Sequence, residues 1–223
     1  YLIYTGNNEK MIEEFKEDVM KTFKMSNLGL MHFFLEIEIN QEKEGICICQ
    51  KKYIETLLKK FKMEGCKTVT TPLITSEKNK KENGSEKVDG SIYRSLIGCL
   101  LYLTATRSDI MFPTSVLSRF MQSPSQVHYG AAKRILRYLR GMKVFGIWYT
   151  STNDARLGGY PDCDWAGSAN DLKSTSGYTF SLGSGILSWA SKKQTIVAQF
   201  LAKAEYIATV ATSNQATWLK MIL

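Results

Sequence analysis

The stretch 157–205 limits this chain more than any other. It opens with Leu157-Gly158-Gly159-Tyr160-Pro161-Asp162-Cys163-Asp164-Trp165-Ala166-Gly167. It runs through Ser174-Thr175-Ser176-Gly177-Tyr178 and Ser188-Trp189-Ala190-Ser191-Lys192-Lys193-Gln194, and closes on Ala204-Glu205-Tyr206. An Asp ending one strand, a hairpin behind it and a Glu in the first turns of a helix make a plan for holding a divalent cation. The two carboxylates meet if the sheet carries the helix back over the first strand. Mg²⁺ takes oxygen ligands, usually one or two carboxylates with phosphate and water. Such a site suits phosphodiester hydrolysis.

A chain of 223 residues has room for one large or two small domains with a real core. Its net charge of +8 favours polyanions, nucleic acid first. The plainer alternative is a soluble protein that happens to be basic. Cys47, Cys49, Cys66, Cys99 and Cys163 are odd in number and contain no C-x-x-C spacing, which argues against a disulfide framework and a zinc site. His32 and His128 leave little room for histidine chemistry. No apolar run approaches the ~20 residues of a membrane span, and no signal-peptide pattern opens the chain. A reducing, intracellular setting, cytoplasmic or nuclear, is expected. The opening Tyr1-Leu2-Ile3-Tyr4 is mid-strand in character, so a fragment is expected.

Residues 8–24 read as a helix capped by Asn8, with Ile12, Phe15, Val19 and Phe23 on one face and Asn27-Leu28-Gly29 as its stop. A hairpin follows. Leu35, Ile37 and Ile39 alternate with Glu36 and Glu38, 41–45 is a polar turn, and Ile46-Cys47-Ile48-Cys49 returns. Cys47 and Cys49 share a strand face and read as a half-buried pair. Residues 51–62 form an amphipathic helix with Tyr53, Ile54, Leu57, Leu58 and Phe61 inward. Residues 73–90 read as an exposed linker. Residues 91–104 read as a buried helix carrying Ile92, Tyr93, Leu96, Ile97, Leu100 and Leu101. A helix over 109–121, capped by Ser108, would hold Pro113 beyond its first turn, at a cost of about 3 kcal/mol or a kink.

Residues 125–140 give the clearest helical pattern, capped by Ser123 or Ser125 and ended by Gly141. Its apolar side is Ala132, Ile135, Leu136 and Leu139. Lys133, Arg134, Arg137 and Arg140, with Lys143 just beyond, form a basic stripe, which is either a solvated face or a row of phosphate contacts. Strands are expected at 145–150 and 157–160, then a meander through Tyr178, Phe180 and Leu182, a turn at Gly183-Ser184-Gly185, a return at 186–189, and a further strand at 195–198. The closing helix, 202–223, carries Ile207, Val210, Ala211, Trp218, Met221 and Ile222 on its apolar side.

These words resemble copia-type LTR retrotransposon Pol polyproteins: the end of the reverse transcriptase, then the start of the ribonuclease H domain. Phe34-Leu35-Glu36-Ile37-Glu38 is similar to the family's Phe-Leu-Gly-Ile-Glu in the primer-grip region, with Glu36 where Gly is expected. A Gly there lets backbone approach closely, and a Glu adds bulk and negative charge. Thr106-Arg107-Ser108-Asp109-Ile110 is similar to Thr-Arg-Pro-Asp-Ile. Phe200-Leu201-Ala202-Lys203-Ala204-Glu205-Tyr206 is similar to Ser-Ser-Ala-Glu-Ala-Glu-Tyr.

The resemblance implies an α+β / α/β fold. A palm-end hairpin and a helical thumb and connection precede a partial ribonuclease H-like sheet, an antiparallel meander plus one helix. It divides the chain as 1–72 (palm end and start of thumb), 73–90 (linker), 91–143 (thumb and connection) and 144–223 (partial ribonuclease H-like domain). It implies Asp162 and Glu205 as catalytic, Mg²⁺-ligating residues. It implies Lys133, Arg134, Arg137, Arg140, Lys143, Lys192 and Lys193 as contacts for an RNA–DNA hybrid or other nucleic acid. Without it, Asp162 reads as a strand-end turn residue and Glu205 as an exposed helix residue. The family's Tyr-Val-Asp-Asp box, which precedes a Leu-Ile-Tyr strand, and a later metal-binding Asp lie outside these residues. The expectation is therefore a truncated, inactive piece that binds nucleic acid. A residual Mg²⁺-dependent nuclease and the inactive product of a decayed element are the alternatives. No membrane partner is expected, and an incomplete sheet favours self-association.

Overall fold

The computed structural model describes residues 2–74, 80, 84–152 and 155–223. The expected linker 73–90 and the polar turn before residue 157 lie partly outside them. The chain divides into two compact units, Tyr1–His32 and Phe33–Leu223. Its fold is mixed, of α-helices and antiparallel sheets.

The first unit is built on helix α1 (Glu9–Thr22). Asn8 caps it by accepting the Met11 N–H at 3.2 Å. Tyr4 packs edge-on against Phe15 at 5.7 Å. None of α1's residues is buried, so its expected inward face is not a core face within this unit. The helix stops at Thr22, before Asn27-Leu28-Gly29.

The second unit opens with β1 (Phe33–Phe34) and β2 (Ile37–Glu42), which pair antiparallel across Leu35-Glu36. Both turn residues have positive φ, +47° and +59°. A two-residue hairpin turn needs that geometry to match strand twist. The expected alternation from Leu35 to Ile39 is therefore broken: Leu35 and Glu36 form a turn. A Gly at 36 relieves backbone strain here. β3 (Gly45–Cys49) pairs with β2, and β4 (Gly146–Thr150) pairs with β3, giving the order β1-β2-β3-β4. Residues 146–150 thus join the early hairpin rather than the later meander. Gly45 is required there, because a Cβ would lie 2.2 Å from the Tyr149 carbonyl oxygen.

The main core is helical. Helix α2 (Lys51–Lys60) buries Ile54, Leu57 and Leu58, and α3 (Gly90–Leu103) buries Tyr93, Leu96, Ile97, Leu100 and Leu103. Ile92 and Leu101, expected inward, are exposed. Asp89 caps α3 through the Ser91 N–H at 2.7 Å. The expected helix 109–121 is two elements, a 3-10 turn (Ser108–Ile110) and α4 (Met111–Ser118). Ser108 makes no cap bond. The break places Pro113 in the first turn of α4, where its missing N–H has no carbonyl to serve, so the expected kink does not arise.

Helix α5 (Gln126–Gly141) completes the core with Ala132, Ile135, Leu136, Tyr138 and Leu139. Ser125 caps it in a capping box closed by His128. Arg107, 2% exposed, lies among these helices. It grips Asp109 through Nε at 2.9 Å and Nη2 at 2.6 Å, and donates to the Met142 carbonyl at 2.8 Å. Tyr138 donates to the same Asp109 at 2.7 Å.

A second sheet has the order β5-β6-β7: β5 (Leu157–Cys163), β6 (Thr175–Leu182) and β7 (Gly185–Lys193). β5 is an edge strand, so Pro161 is tolerated within it. No strand forms over 195–198. β7 instead runs on to Lys193, and Ile196 and Val197 lie exposed in the following loop. The Gly159 position has no room for a Cβ, which would meet the buried Phe180 ring at 2.5 Å. Three bonds fix this sheet to the helices: Trp189 Nε1 to the Thr104 carbonyl at 2.9 Å, Ser115 Oγ to the Ser191 carbonyl at 2.8 Å, and Arg119 Nη2 to Thr175 Oγ1 at 2.9 Å.

Helix α6 (Leu201–Ile222) packs on β5 and β6 through Ala204, Ala208, Thr212 and Leu219. Its expected apolar side is the exposed one, with Val210 43%, Trp218 51% and Met221 73% exposed. At 100° per residue that side is rotated about a quarter-turn from the buried face. Small residues let α6 approach the sheet closely; large ones would hold it off.

Candidate functional site

The site lies where the end of β5 meets the start of α6. Cys163 pairs with Ser176, and Ser176 with Lys192, so these residues share one face of the sheet. Gln194 bridges that face to α6: its Nε2 donates to Ser176 Oγ at 2.8 Å and to the Ala204 carbonyl at 2.9 Å. Glu205 follows Ala204 and is exposed. Asp162 is also exposed, paired with Gly177 on the neighbouring pleat. Burial, then the carboxylates of Glu205, Asp162 and Asp164 in that order, push the Cys163 thiol above its ordinary value. Carboxylates distant in the chain thus act on one thiol.

Asp164 has a separate task. It accepts the Thr175 N–H through Oδ1, its own N–H bonds the Thr175 carbonyl at 3.1 Å, and its carboxylate packs against Gly167. It closes the loop after β5. Trp165 is pinned through Nε1 to the Ala198 carbonyl at 3.2 Å. Asp171 is held well below the carboxylate range, at about 2, by hydrogen bonds from Lys193 and Ser168.

Among the described residues no three His, Cys, Asp or Glu side chains converge as a metal-holding group. Asp162 and Glu205, the expected Mg²⁺ ligands, are both exposed. Two carboxylates suffice for Mg²⁺ only when phosphate and water complete its shell. This donor set fits a cation arriving with a phosphodiester better than a resident one.

The basic stripe on α5 is largely committed within the protein. Arg134 bonds the Thr71 carbonyl at 3.1 Å and Thr71 Oγ1 at 2.9 Å, and Arg140 bonds the Cys66 carbonyl. Lys143 pairs with Glu55 at 3.1 Å. Lys133 lies 4.5 Å over the Tyr129 ring, and the Nε of Arg137 is buried. Lys193 pairs with Asp171 at 2.8 Å, whereas Lys192 is exposed. Helical spacing cannot separate a cation that straps a neighbouring loop from one that waits for phosphate. Gln194 escaped sequence reasoning, because a Gln just past a strand reads as loop.

Residues 1–75 match the reverse transcriptase (RNA-dependent DNA polymerase) family. Over its whole length the chain is 36% identical to the retrovirus-related Pol polyprotein from transposon RE1 of Arabidopsis thaliana, of which it spans 15%. It is also 36% identical to the retrovirus-related Pol polyprotein from transposon TNT 1-94 of Nicotiana tabacum, of which it spans 17%. An uncharacterized mitochondrial protein of Arabidopsis thaliana is 32% identical over 97% of this chain and 90% of its own length. No solved structure matches. Full-length similarity to the transposon polyproteins, together with the reverse transcriptase match, means that this chain belongs to the copia-type retrotransposon Pol polyprotein family, as a reverse transcriptase-like region.

Proposed function

We propose that this chain is the reverse transcriptase to ribonuclease H segment of such a polyprotein, and that it holds an RNA–DNA hybrid without cleaving it unaided. In this reading the β1–β4 sheet is palm end, α2–α5 are thumb and connection, and β5–β7 with α6 are the opening of a ribonuclease H-like domain. The observation that carries it is the packing of α6 on β5 through Ala204 and Ala208: the fold returns the helix that bears Glu205 to the strand that bears Asp162.

Lys192, exposed on the Cys163 face, takes a backbone phosphate. The carboxylates meet that phosphate only through a cation. When bound, the cation lowers the pKa of a water and steadies charge on the phosphate. Two exposed carboxylates hold it weakly, so binding outlasts chemistry. With Arg134, Arg140 and Lys143 engaged internally, the phosphate footprint is small.

Titrating a labelled hybrid duplex at several salt concentrations tests this. The expected result is affinity that falls linearly on a log–log plot with a shallow slope, on the order of one to three phosphates, and that weakens in Lys192→Ala. In Mg²⁺ the duplex stays intact. Cleavage lost in both Asp162→Asn and Glu205→Gln would establish the nuclease reading instead. No binding even at low salt would favour a product without activity.

A further inference from the structure

We propose that Gln194 is the positioning residue that sets Glu205 over β5. This rests on the reading of Asp162 and Glu205 as the cation-holding pair. Among the described residues, no side-chain cap bond closes the first turn of α6 at its own terminus. Phe200 occupies the cap position with an extended backbone and no side-chain cap bond. The turn is fixed from outside, by Gln194.

Gln194 is itself anchored twice, on β6 and on the residue just before it. Its N–H donates to the Ser174 carbonyl at 2.8 Å, and its Nε2 reaches Ser176 Oγ at 2.8 Å. The same nitrogen donates to the Ala204 carbonyl at 2.9 Å. A carbonyl only accepts, so the amide nitrogen must face Ala204. That orientation leaves Oε1 buried without a partner, although the side chain is only 6% exposed. An apolar residue would fill this place without a desolvated orphan acceptor. The amide is therefore kept for what its N–H groups hold, and they hold the residue before Glu205. The strand order transmits the constraint: Ser176 lies opposite Cys163, next to Asp162. One side chain thus ties the strand that borders Asp162 to the turn that bears Glu205.

Position 205 can be located without nucleic acid or metal. In Glu205→Cys, a short bis-maleimide should join Cys163 to the new thiol at fixed pH, because α6 packs on β5. Gln194→Met keeps the volume but donates nothing, and Gln194→Asn is too short to span both partners. Each, combined with Glu205→Cys, should slow the cross-link about threefold or more, and each alone should speed amide hydrogen exchange over residues 201–206 by a similar factor. Leu219→Ala, which weakens α6 at its far end, should lower the melting temperature and leave both readings near the wild-type values. The proposal is overturned if both Gln194 variants keep the wild-type cross-linking and exchange, or if they change them no more than Leu219→Ala does. It is equally overturned if Glu205→Cys does not cross-link to Cys163, since position 205 then does not stand over β5. These readings hold or fail independently of hybrid binding.

Discussion

Glu36 sits in a left-handed conformation, φ +59°, beside Leu35 at +47°. Side chains with a Cβ are strained there, by about 1–2 kcal/mol in a left-handed helix. Glu36→Gly should therefore stabilise the protein by about 1 kcal/mol, after the extra chain entropy of Gly is deducted. Urea denaturation with an unchanged slope would show it. Glu36→Val should move the midpoint the other way. The sequence displayed the departure from the family's Gly, but not its cause; bulk and charge at a phosphate contact were expected, and the backbone supplies a local reason. Arg107 is the opposite case, because nothing in Thr-Arg-Ser-Asp predicts an arginine 2% exposed. Its bidentate grip on Asp109, with Tyr138 on the same carboxylate, makes it a joint between α5 and the α3–α4 connection. Arg107→Ala leaves Asp109, one-third exposed, with only its Tyr138 bond and should cost about 1–3 kcal/mol. Urea melts of the variant should read that loss, whereas Arg107→Lys, which cannot form the fork, should recover only part of it.

Helix α5 shows what pattern reveals and what it conceals. Its apolar side and its Ser125 cap were legible, because a 3.6-residue period and a cap hydroxyl are local properties. The fate of its cations was not legible, because Thr71, Cys66 and Glu55 reach them only through the tertiary fold. Likewise, α6 was legible as a helix but not in its rotation, since the sheet selected Ala204 and Ala208 over larger side chains. Within α5, His128 carries a pH prediction. Its Nε2 faces the Lys80 carbonyl at 3.0 Å and must bear the proton, so Nδ1 accepts the Ser125 N–H at 3.2 Å. Burial, opposed only by the bond to Lys80, lowers its pKa below 6.5. The folded state thus binds this proton less readily than the unfolded state. The stabilisation is complete above about pH 6.5 and is lost as pH falls from there through the folded-state value. Melting temperature should drop through the window that opens below about pH 6.5 in the wild type. His128→Gln should be less stable at pH 7 and flatter across that window.

At the scale of the molecule, the buried mass lies in α2–α5, and the β5–β7 sheet with α6 is fastened to it by Trp189, Ser115 and Arg119. The outer side of α6 then presents Trp218, Met221 and Ile222 to solvent, at 51%, 73% and 60% exposure. Exposed apolar surface of this kind drives association. The sheet edge is a weaker candidate, since Pro161 interrupts the hydrogen-bonding row of β5. We therefore expect a concentration-dependent mass in size-exclusion chromatography with light scattering, and expect it to move to monomer in Trp218→Ser/Met221→Ser. Because those side chains contribute little to the fold of a single copy, the double variant should melt within about 0.5 kcal/mol of the wild type at low concentration. If the double variant still associates while Tyr160→Lys abolishes association, the strand edge is the contact. A sharp monomer peak for the wild type at all concentrations would mean that the face of α6 attracts no second copy.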